Sequence, residues 1–188
     1  MSHYDWAELY SRIESCEACG LAKTRNHTVP GMGNPKAKIM LVGEGPGRDE
    51  DLQGLPFVGA AGQLLDKMLA AIDLDRNQVY IANVVKCRPP ANRTPLEEEA
   101  QACLPYLRAQ TALVRPQIIV CLGKTAARYI YDEDIRITRD RGQWRVKKGV
   151  WVMPTYHPAA LLRDASKKRE AWEDFKAIAA KYKQLQGP

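Results

Sequence analysis

Four short runs of apolar residues recur along the chain, and two of them end in glycine. Continuous apolar runs of this length are typical of strands that are buried on both faces of a sheet. The pattern therefore predicts four buried strands. They span residues 38–43, 79–85, 117–123 and 149–154.

Helical stretches are expected between and after these runs. Apolar residues at helical spacing mark the first of them, where Leu64, Leu65, Met68 and Leu69 fall on one face. The expected helices span residues 59–72, 94–114, 124–131 and 166–185.

The start of the second helix carries three agreeing signals. Thr94 can cap a helix, Pro95 suits its first turn, and Glu97 completes a capping box. We expect this helix to run toward Val114 and to be disturbed at Pro105, which has no backbone N–H.

Strand and helix alternate four times, which favours a three-layer α/β/α fold with a central, mostly parallel four-stranded sheet. The absence of an interdomain linker or repeat suggests a single domain over residues 1–188. Ligands bind such sheets at the carboxyl ends of the strands. Segments 43–51, 83–90 and 154–163 follow three predicted strands, so we expect them to form one site.

Charge is distributed unevenly over the 188 residues. The formal net charge is +6, and the first half of the chain contributes none of it. Ten Lys and Arg lie within residues 136–169, opposed only by Asp140 and Asp164. Such a stripe can attract a phosphate backbone, although a solvated surface would show the same composition.

No apolar stretch is long enough for a membrane span, and the N-terminus lacks the pattern of a signal peptide. We therefore expect a cytoplasmic location and no membrane partner. In a reducing compartment the five cysteines are not expected to form disulfides.

Cysteine spacing suggests a metal centre. Cys16 and Cys19 form a close pair, while Cys87 and Cys103 stand far along the chain, and Cys121 lies in a predicted strand as a core residue. Four thiolates suit an iron–sulfur cluster or zinc, but zinc ribbons usually have two close pairs. Spacing alone leaves open a cluster, a zinc site and ordinary buried cysteines.

The loop after the first strand has three glycines at alternate positions, but it lacks the residues of a phosphate-binding loop. Its four carboxylates would repel a phosphate, so the loop better suits a neutral polar ligand. Nearby Phe57 is either a core residue or a platform for a flat ring. His157 alone would be interpreted as a surface loop residue.

Taken together, several segments resemble the family 4 uracil-DNA glycosylases, the bacterial and archaeal type that carries a 4Fe–4S cluster. The likeness extends from Cys16 to about Arg163 and includes the four cysteines. The matching segments cover residues 43–47 with 50–51, 56–59 with 61–62, 80–90 with 92–93, and 154–158 with 161–163.

The resemblance implies a uracil-DNA glycosylase-like fold and removal of uracil from DNA. It also implies a structural 4Fe–4S cluster, which makes zinc less favoured. The expected ligands are Cys16, Cys19, Cys87 and Cys103. Uracil-containing DNA is the expected partner, and no nucleotide cofactor is expected.

The resemblance also implies a uracil pocket. Phe57 would stack on the flipped base, and the Asn83 amide would accept from uracil N3–H and donate to O4, a pattern that cytosine reverses. Glu44 and Gly45 would line the pocket mainly through their backbone. Glu50 would collide with the 5-methyl group of thymine.

Catalysis is assigned to His157, which would donate a hydrogen bond to uracil O2 as negative charge develops there. The resemblance also implies that Gly45 occupies the position where better-known relatives have an aspartate that supports the attacking water. Glu50 or Glu44 would replace it, or the bond would break with little base assistance.

Base flipping requires contacts to DNA. The segment 157–163 is expected to enter a groove as a loop, with Leu161 or Leu162 as a wedge and Arg163 near a phosphate. Helix packing is the alternative role for the leucines. Segment 132–150 has no histidine, which argues against covalent uracil trapping.

Two other classes remain as alternatives. One is a nucleic-acid-binding protein that has lost catalysis, and the other is a redox or scaffold protein with zinc or a cluster. Asn83, Phe57 and His157 argue against the first, and the uneven basic charge argues against the second. A monomer is the default expectation.

Overall fold

The computed structural model describes residues 4–187. Its centre is a six-stranded sheet in the order β1-β3-β2-β4-β6-β5, in which the four middle strands are parallel and the two edge strands antiparallel. The strands are β1 Met32–Gly33, β2 Ile39–Gly43, β3 Val79–Asn83, β4 Ile118–Leu122, β5 Arg145–Lys147 and β6 Val150–Thr155.

Eight α-helices and three short 3₁₀ turns surround the sheet in the described residues. The helices are α1 Trp6–Glu14, α2 Arg48–Gln53, α3 Ala60–Ala70, α4 Glu97–Val114, α5 Lys124–Ile130, α6 Ile137–Asp140, α7 Pro158–Arg163 and α8 Lys168–Gln186. The 3₁₀ turns are Gly20–Lys23, Pro90–Asn92 and Ala165–Lys167.

Alternate residues of each central strand face opposite layers, as the strand period requires. In β2, Met40 and Val42 pack with α4 and α5, whereas Ile39 and Leu41 pack with α3 and α8. All five residues of β2 are buried. The expected three-layer α/β/α arrangement is thus confirmed.

The predicted strand count needs correction, because the sheet has six strands and not four. All four predicted strands are present and parallel to one another. The two extra strands, β1 and β5, are only two and three residues long, and none of their residues is buried. They lack the apolar run on which the prediction depended.

Helix α4 begins later than predicted. Its N-cap is Leu96 and not Thr94, and the capping carboxylate is Glu99, which accepts from the Leu96 N–H at 2.8 Å. Glu99 is held there by a two-pronged ion pair with Arg93. The helix continues through Pro105 to Val114.

Two segments that were expected to be loops contain short helices. Helix α2 occupies the end of the acidic loop, and α7 occupies most of segment 157–163. Between residues 4 and 187, none of the helices has both the length and the apolar character needed to cross a bilayer.

Candidate functional site

A cleft opens where the four parallel strands end, at the carboxyl edge of the sheet. Asn83, the last residue of β3, lies there with Gly123 and His157, which follow β4 and β6. The cleft lies at the point where the strand order reverses, between β2 and β4. The cleft volume is about 870 Å³. This is several times the size of one pyrimidine base, so the cleft can hold a base together with adjoining backbone.

Asn83 lies at the base of the cleft, and its side-chain oxygen Oδ1 has no hydrogen-bond partner among the described residues. The residue is 1% exposed. A buried acceptor without a partner costs about 1–3 kcal/mol, so such atoms are rare and are often found where a ligand binds. Gly43 leaves room for it, since a Cβ there would lie 2.5 Å from Oδ1.

Phe57 forms the wall next to Asn83. Its ring lies nearly parallel to the His157 ring, with centroids 5.4 Å apart, and it is 5% exposed. Its backbone φ is +53°, a left-handed conformation that phenylalanine rarely adopts. The ring therefore occupies a position that surrounding contacts must enforce.

Arg76 enforces it, and sequence reasoning missed this residue. Its guanidinium donates to the carbonyls of Pro56, at 2.9 Å, and Phe57. It also forms an ion pair with Asp66 at 2.6 Å. A Cβ on Gly62 would overlap the Phe57 carbonyl, so only glycine fits there.

His157 is the N-cap of α7, and this contact determines which ring nitrogen carries the proton. Its Nδ1 accepts from the Ala159 N–H at 3.0 Å, which leaves the proton of the neutral ring on Nε2. Burial, assisted by Arg163 and partly offset by Glu50, lowers the pKa of His157 to about 4. The imidazole is therefore neutral at pH 7 and can act as a hydrogen-bond donor.

Glu50 lines the cleft, but both oxygens of its carboxylate already accept hydrogen bonds. Oε1 accepts from the N–H groups of Val58 and Gly59, at 3.0 and 3.1 Å, and Oε2 accepts from Gly47 N–H at 3.1 Å. This side chain joins the start of α2 to the segment that follows Phe57. Its geometry suits a fixed wall better than a proton acceptor.

Glu44 and Gly45 lie on the same wall. The Glu44 carboxylate accepts from the hydroxyl of Thr125 at the start of α5, a contact that the sequence did not suggest. Gly45 packs closely on the chain after β3, because a Cβ there would lie 2.7 Å from Val85 Cγ2. The backbone of both residues is thus held against the neighbouring strand end.

The leucine pair of α7 separates into two roles. Leu161 is 1% exposed and packs with Tyr156 and Ala171, which favours for this residue the alternative role of helix packing over that of a DNA-contacting wedge. Leu162 is 50% exposed, and Arg163 is exposed at the rim of the cleft. Helical geometry explains the difference, because consecutive residues of a helix point in different directions.

The basic stripe is partly neutralised. Four of its ten cations form ion pairs with aspartates. The pairs are Arg139–Asp140, Arg141–Asp174, Arg145–Asp132 and Lys167–Asp164. In contrast, Arg48 and Lys124 line the cleft without a salt bridge to any described residue. Arg48 lies within segment 43–51, which was expected at the site, whereas sequence reasoning missed Lys124.

The four predicted ligand cysteines lie around one small void between α1, the Gly20–Lys23 turn, the chain after β3, and α4. They are Cys16, Cys19, Cys87 and Cys103. Its volume is about 10 Å³, and Cys121 is buried elsewhere in the sheet. Among residues 4–187, no group of three or more His, Cys, Asp or Glu side chains is arranged to hold a metal ion.

Burial raises the pKa of Cys87 and Cys103, but hydrogen-bond donors next to both thiols act in the opposite direction and favour thiolates. Arg25 Nη1 lies 3.5 Å from Cys87 Sγ as a donor, and the Lys86 N–H donates to Cys103 Sγ at 3.2 Å. The lining contains basic and apolar side chains and no carboxylate. Four sulfurs with donors directed at two of them fit the donor set of an iron–sulfur centre.

Comparison with known proteins agrees with this architecture. Residues 30–176 match the family model described as the uracil DNA glycosylase superfamily. The chain is 50% identical to the type-4 uracil-DNA glycosylase of Archaeoglobus fulgidus, over 91% of this chain and 90% of that protein. It is 47% identical to the type-4 enzyme of Thermotoga maritima, over 82% of each chain.

A type-5 uracil-DNA glycosylase of Pyrobaculum aerophilum is more distant, at 33% identity over 71% of this chain and 66% of that protein. The chain therefore belongs to the uracil DNA glycosylase superfamily and, within it, to the type-4 group.

Proposed function

We propose that this protein is a monofunctional uracil-DNA glycosylase that flips uracil out of DNA and hydrolyses its N-glycosidic bond, leaving an abasic site. The observation that carries the proposal is the buried Oδ1 of Asn83, which has no hydrogen-bond partner among the described residues and lies in the cleft that a neutral histidine also lines. Such an enzyme acts in base excision repair of deaminated cytosine.

Asn83 would select uracil through its amide. Oδ1 accepts a hydrogen bond from uracil N3–H, and the NH₂ group donates to O4. Cytosine presents an acceptor at N3 and a donor at C4, so both contacts would become repulsive. Phe57 would stack on the base, and Glu44 and Gly45 would border it with backbone groups.

Of the two roles predicted for Glu50, the geometry favours the one based on shape. Its carboxylate is fixed by three backbone N–H groups and can act as a rigid wall against the 5-methyl group of thymine. A carboxylate with both oxygens engaged is a poor general base. We therefore do not assign Glu50 the role of general base. We expect cleavage of the glycosidic bond to depend mainly on stabilisation of the leaving uracil.

His157 would provide that stabilisation. As the glycosidic bond breaks, negative charge grows on uracil, and the Nε2–H of His157 would donate to O2. The pKa of about 4 ensures that the ring is neutral, so a fixed dipole and not a cation meets the anion. Removing one such donor typically lowers rates by about 100- to 1000-fold.

DNA would lie across the mouth of the cleft. Arg163, Lys124 and Arg48 would contact phosphates there, and Leu162 would fill the space that the flipped base leaves. The unpaired cations of residues 136–169 would extend this surface. We also propose that the protein acts in the cytoplasm, that residues 1–188 form a single domain, and that the protein is a monomer.

A 4Fe–4S cluster is the cofactor that the cysteine centre fits best. When bound, it would join three separate parts of the chain through four cysteine thiolates. Cys16 and Cys19 would be fixed to Cys87 and Cys103, which stabilises the N-terminal segment against α4. Its role in this proposal is structural, and catalysis is assigned to residues of the cleft.

A strand-nicking assay tests the proposal. Purified protein is incubated with a chelator and a duplex oligonucleotide carrying one uracil, followed by alkali. We expect cleavage at uracil and none at thymine or cytosine in matched duplexes. Protein that shows the visible absorption of an intact cluster but yields no abasic site would contradict the proposal.

A further inference from the structure

Lys86 is a buried cation behind the uracil pocket, and the mechanism above does not use it. The residue is 1% exposed, and it forms no salt bridge with any described residue. Burying an ammonium group is unfavourable unless its protons are matched by acceptors. Its Nζ donates to the Asn83 carbonyl at 2.8 Å and to Gln110 Oε1 at 2.6 Å.

The position of these bonds explains why a side chain is needed there. Strand β1 pairs with β3 through Met32–Ile81, and continuing this antiparallel register places Pro30 opposite Asn83. Proline has no N–H to donate. Lys86 donates to Asn83, and Gln110 Nε2 donates to the Pro30 carbonyl at 2.6 Å, so two side chains take the place of a strand contact.

The backbone of Lys86 is hydrogen-bonded to the cysteine centre. Its N–H donates to Cys103 Sγ at 3.2 Å, and Cys87 follows it directly. Its carbonyl accepts from the Val29 N–H at 2.7 Å. One residue thus contacts the centre through its main chain and the recognition residue through its side chain.

We propose that Lys86 is a positioning residue that fixes the backbone of Asn83 relative to the cysteine centre and thereby orients the uracil-reading amide. This rests on the proposed function. Among residues 4–187, Oδ1 of Asn83 has no hydrogen-bond partner that would hold the side chain, so the direction of the amide depends on the backbone that carries it.

The charge of Lys86 is consistent with the same role. Four thiolates holding a cluster would make the cysteine centre anionic, and the Lys86 ammonium would compensate part of that charge.

The test compares Lys86→Met, which keeps the length of the side chain and removes its donors, with Gln110→Leu as the matched control. Both remove a buried polar group from the same network, but only Lys86 contacts Asn83. The measurements are affinity for free uracil by calorimetry, affinity for abasic-site DNA, and visible absorption. We expect Lys86→Met to bind free uracil about 10- to 100-fold more weakly.

The affinity of Lys86→Met for abasic-site DNA and its visible absorption should stay at the wild-type level. The control should bind uracil within about threefold of wild type, since it does not touch Asn83. Wild-type uracil affinity in Lys86→Met, or equal losses in both variants, would overturn the assignment.

If Lys86→Met does not fold, the double variant Lys86→Met/Gln110→Leu removes both partners of the buried bond, a change that costs less stability than removing one. The folded double variant should still bind uracil about 10- to 100-fold more weakly than wild type. Wild-type affinity would overturn the proposal. Absence of uracil excision by the wild-type protein in a parallel assay would instead refute the proposed function.

Discussion

The ends of strands β3 and β6 both bury polar side chains, but they satisfy them differently. Strand β6 ends at Thr155, whose Oγ1 donates a hydrogen bond to Asp174 of helix α8 at 2.6 Å. Asp174 is 2% exposed and also accepts from Arg141 at 2.6 and 2.9 Å. At the end of β3, Asn83 is equally buried and its Oδ1 accepts from no described residue.

The contrast separates a structural cluster from a binding site. Around Asp174, burial raises the carboxyl pKa, while Arg141 and Thr155 lower it, so the protein itself supplies every partner. Around Asn83 the missing partner must come from outside. A buried polar group that the fold leaves incomplete at a cleft is therefore a stronger indication of function than burial or polarity alone.

Replacing Asn83 by Leu should have the largest effect and should act in opposite directions on activity and stability. We expect kcat/KM for uracil excision to fall by about 1000-fold, because both base contacts are lost. Unfolding free energy should stay the same or rise by about 1 kcal/mol, because a buried acceptor without a partner is removed. Single-turnover kinetics and urea unfolding measure the two effects.

A large loss of stability in Asn83→Leu would instead mean that this amide is structural, like the carboxylate of Asp174.

Replacing Arg141 by Met tests the other half of the comparison. Removing one partner of a buried ion pair should lower the free energy of unfolding by about 3 kcal/mol. The folded variant should excise uracil within about threefold of wild type, since Arg141 lies outside the proposed pocket. Urea unfolding followed by circular dichroism measures the first value. Selective loss of excision with unchanged stability would show that this cluster is functional.

His157→Ala removes the donor near the leaving base but leaves Asn83 intact. Excision should slow by about 100-fold in single-turnover assays. Discrimination between uracil and cytosine should remain, because the residue that reads the base is unchanged. If the ratio of the two rates falls together with the overall rate, the roles of the two residues are not separate.

Leu162→Ala tests whether the exposed leucine of α7 acts as a wedge in duplex DNA. Excision from duplex DNA should fall by about tenfold, and excision from single-stranded DNA should change little, because only the duplex needs a wedge. Leu161→Ala serves as the control, since its buried side chain should affect stability and not this ratio. Equal losses on both substrates would argue against a wedge.

The smallest effect concerns acid stability. The pKa of His157 is lowered to about 4 in the folded protein, so the unfolded chain takes up its proton first as pH falls. The contribution of this group to stability is complete above pH 6.5 and is lost as pH falls toward 4. His157→Gln should therefore lose about 1 kcal/mol less stability than wild type between pH 7 and 5.5. Identical pH profiles would place the pKa near its ordinary value.

Much of the fold could be predicted because its main signals are local. The four central strands are apolar runs, and their alternation with helices indicates a parallel sheet. Edge strands β1 and β5 could not be found this way, since their stability comes from pairing with β3 and β6 and not from their own burial. The capping position of α4 moved to Leu96 because Arg93 holds Glu99, a contact that the capping pattern does not encode.

The candidate site was predictable to a similar extent. Residues at strand ends, such as Asn83 and His157, follow from topology and from the family resemblance. Arg76, Thr125 and Lys124 depend on contacts or surfaces formed only by folding, and sequence reasoning did not find them. Lys86 offered one overlooked signal, since it is a charged residue directly after a predicted buried strand.

The proposed site is defined by one contact, in which Asn83 Oδ1 accepts a hydrogen bond from uracil N3–H. The most direct test is a crystal structure of the protein with free uracil bound. We expect uracil to lie at the base of the cleft, with N3 within hydrogen-bonding distance of Asn83 Oδ1 and O2 near His157 Nε2. Uracil bound elsewhere, or bound there without contact to Asn83, would contradict it.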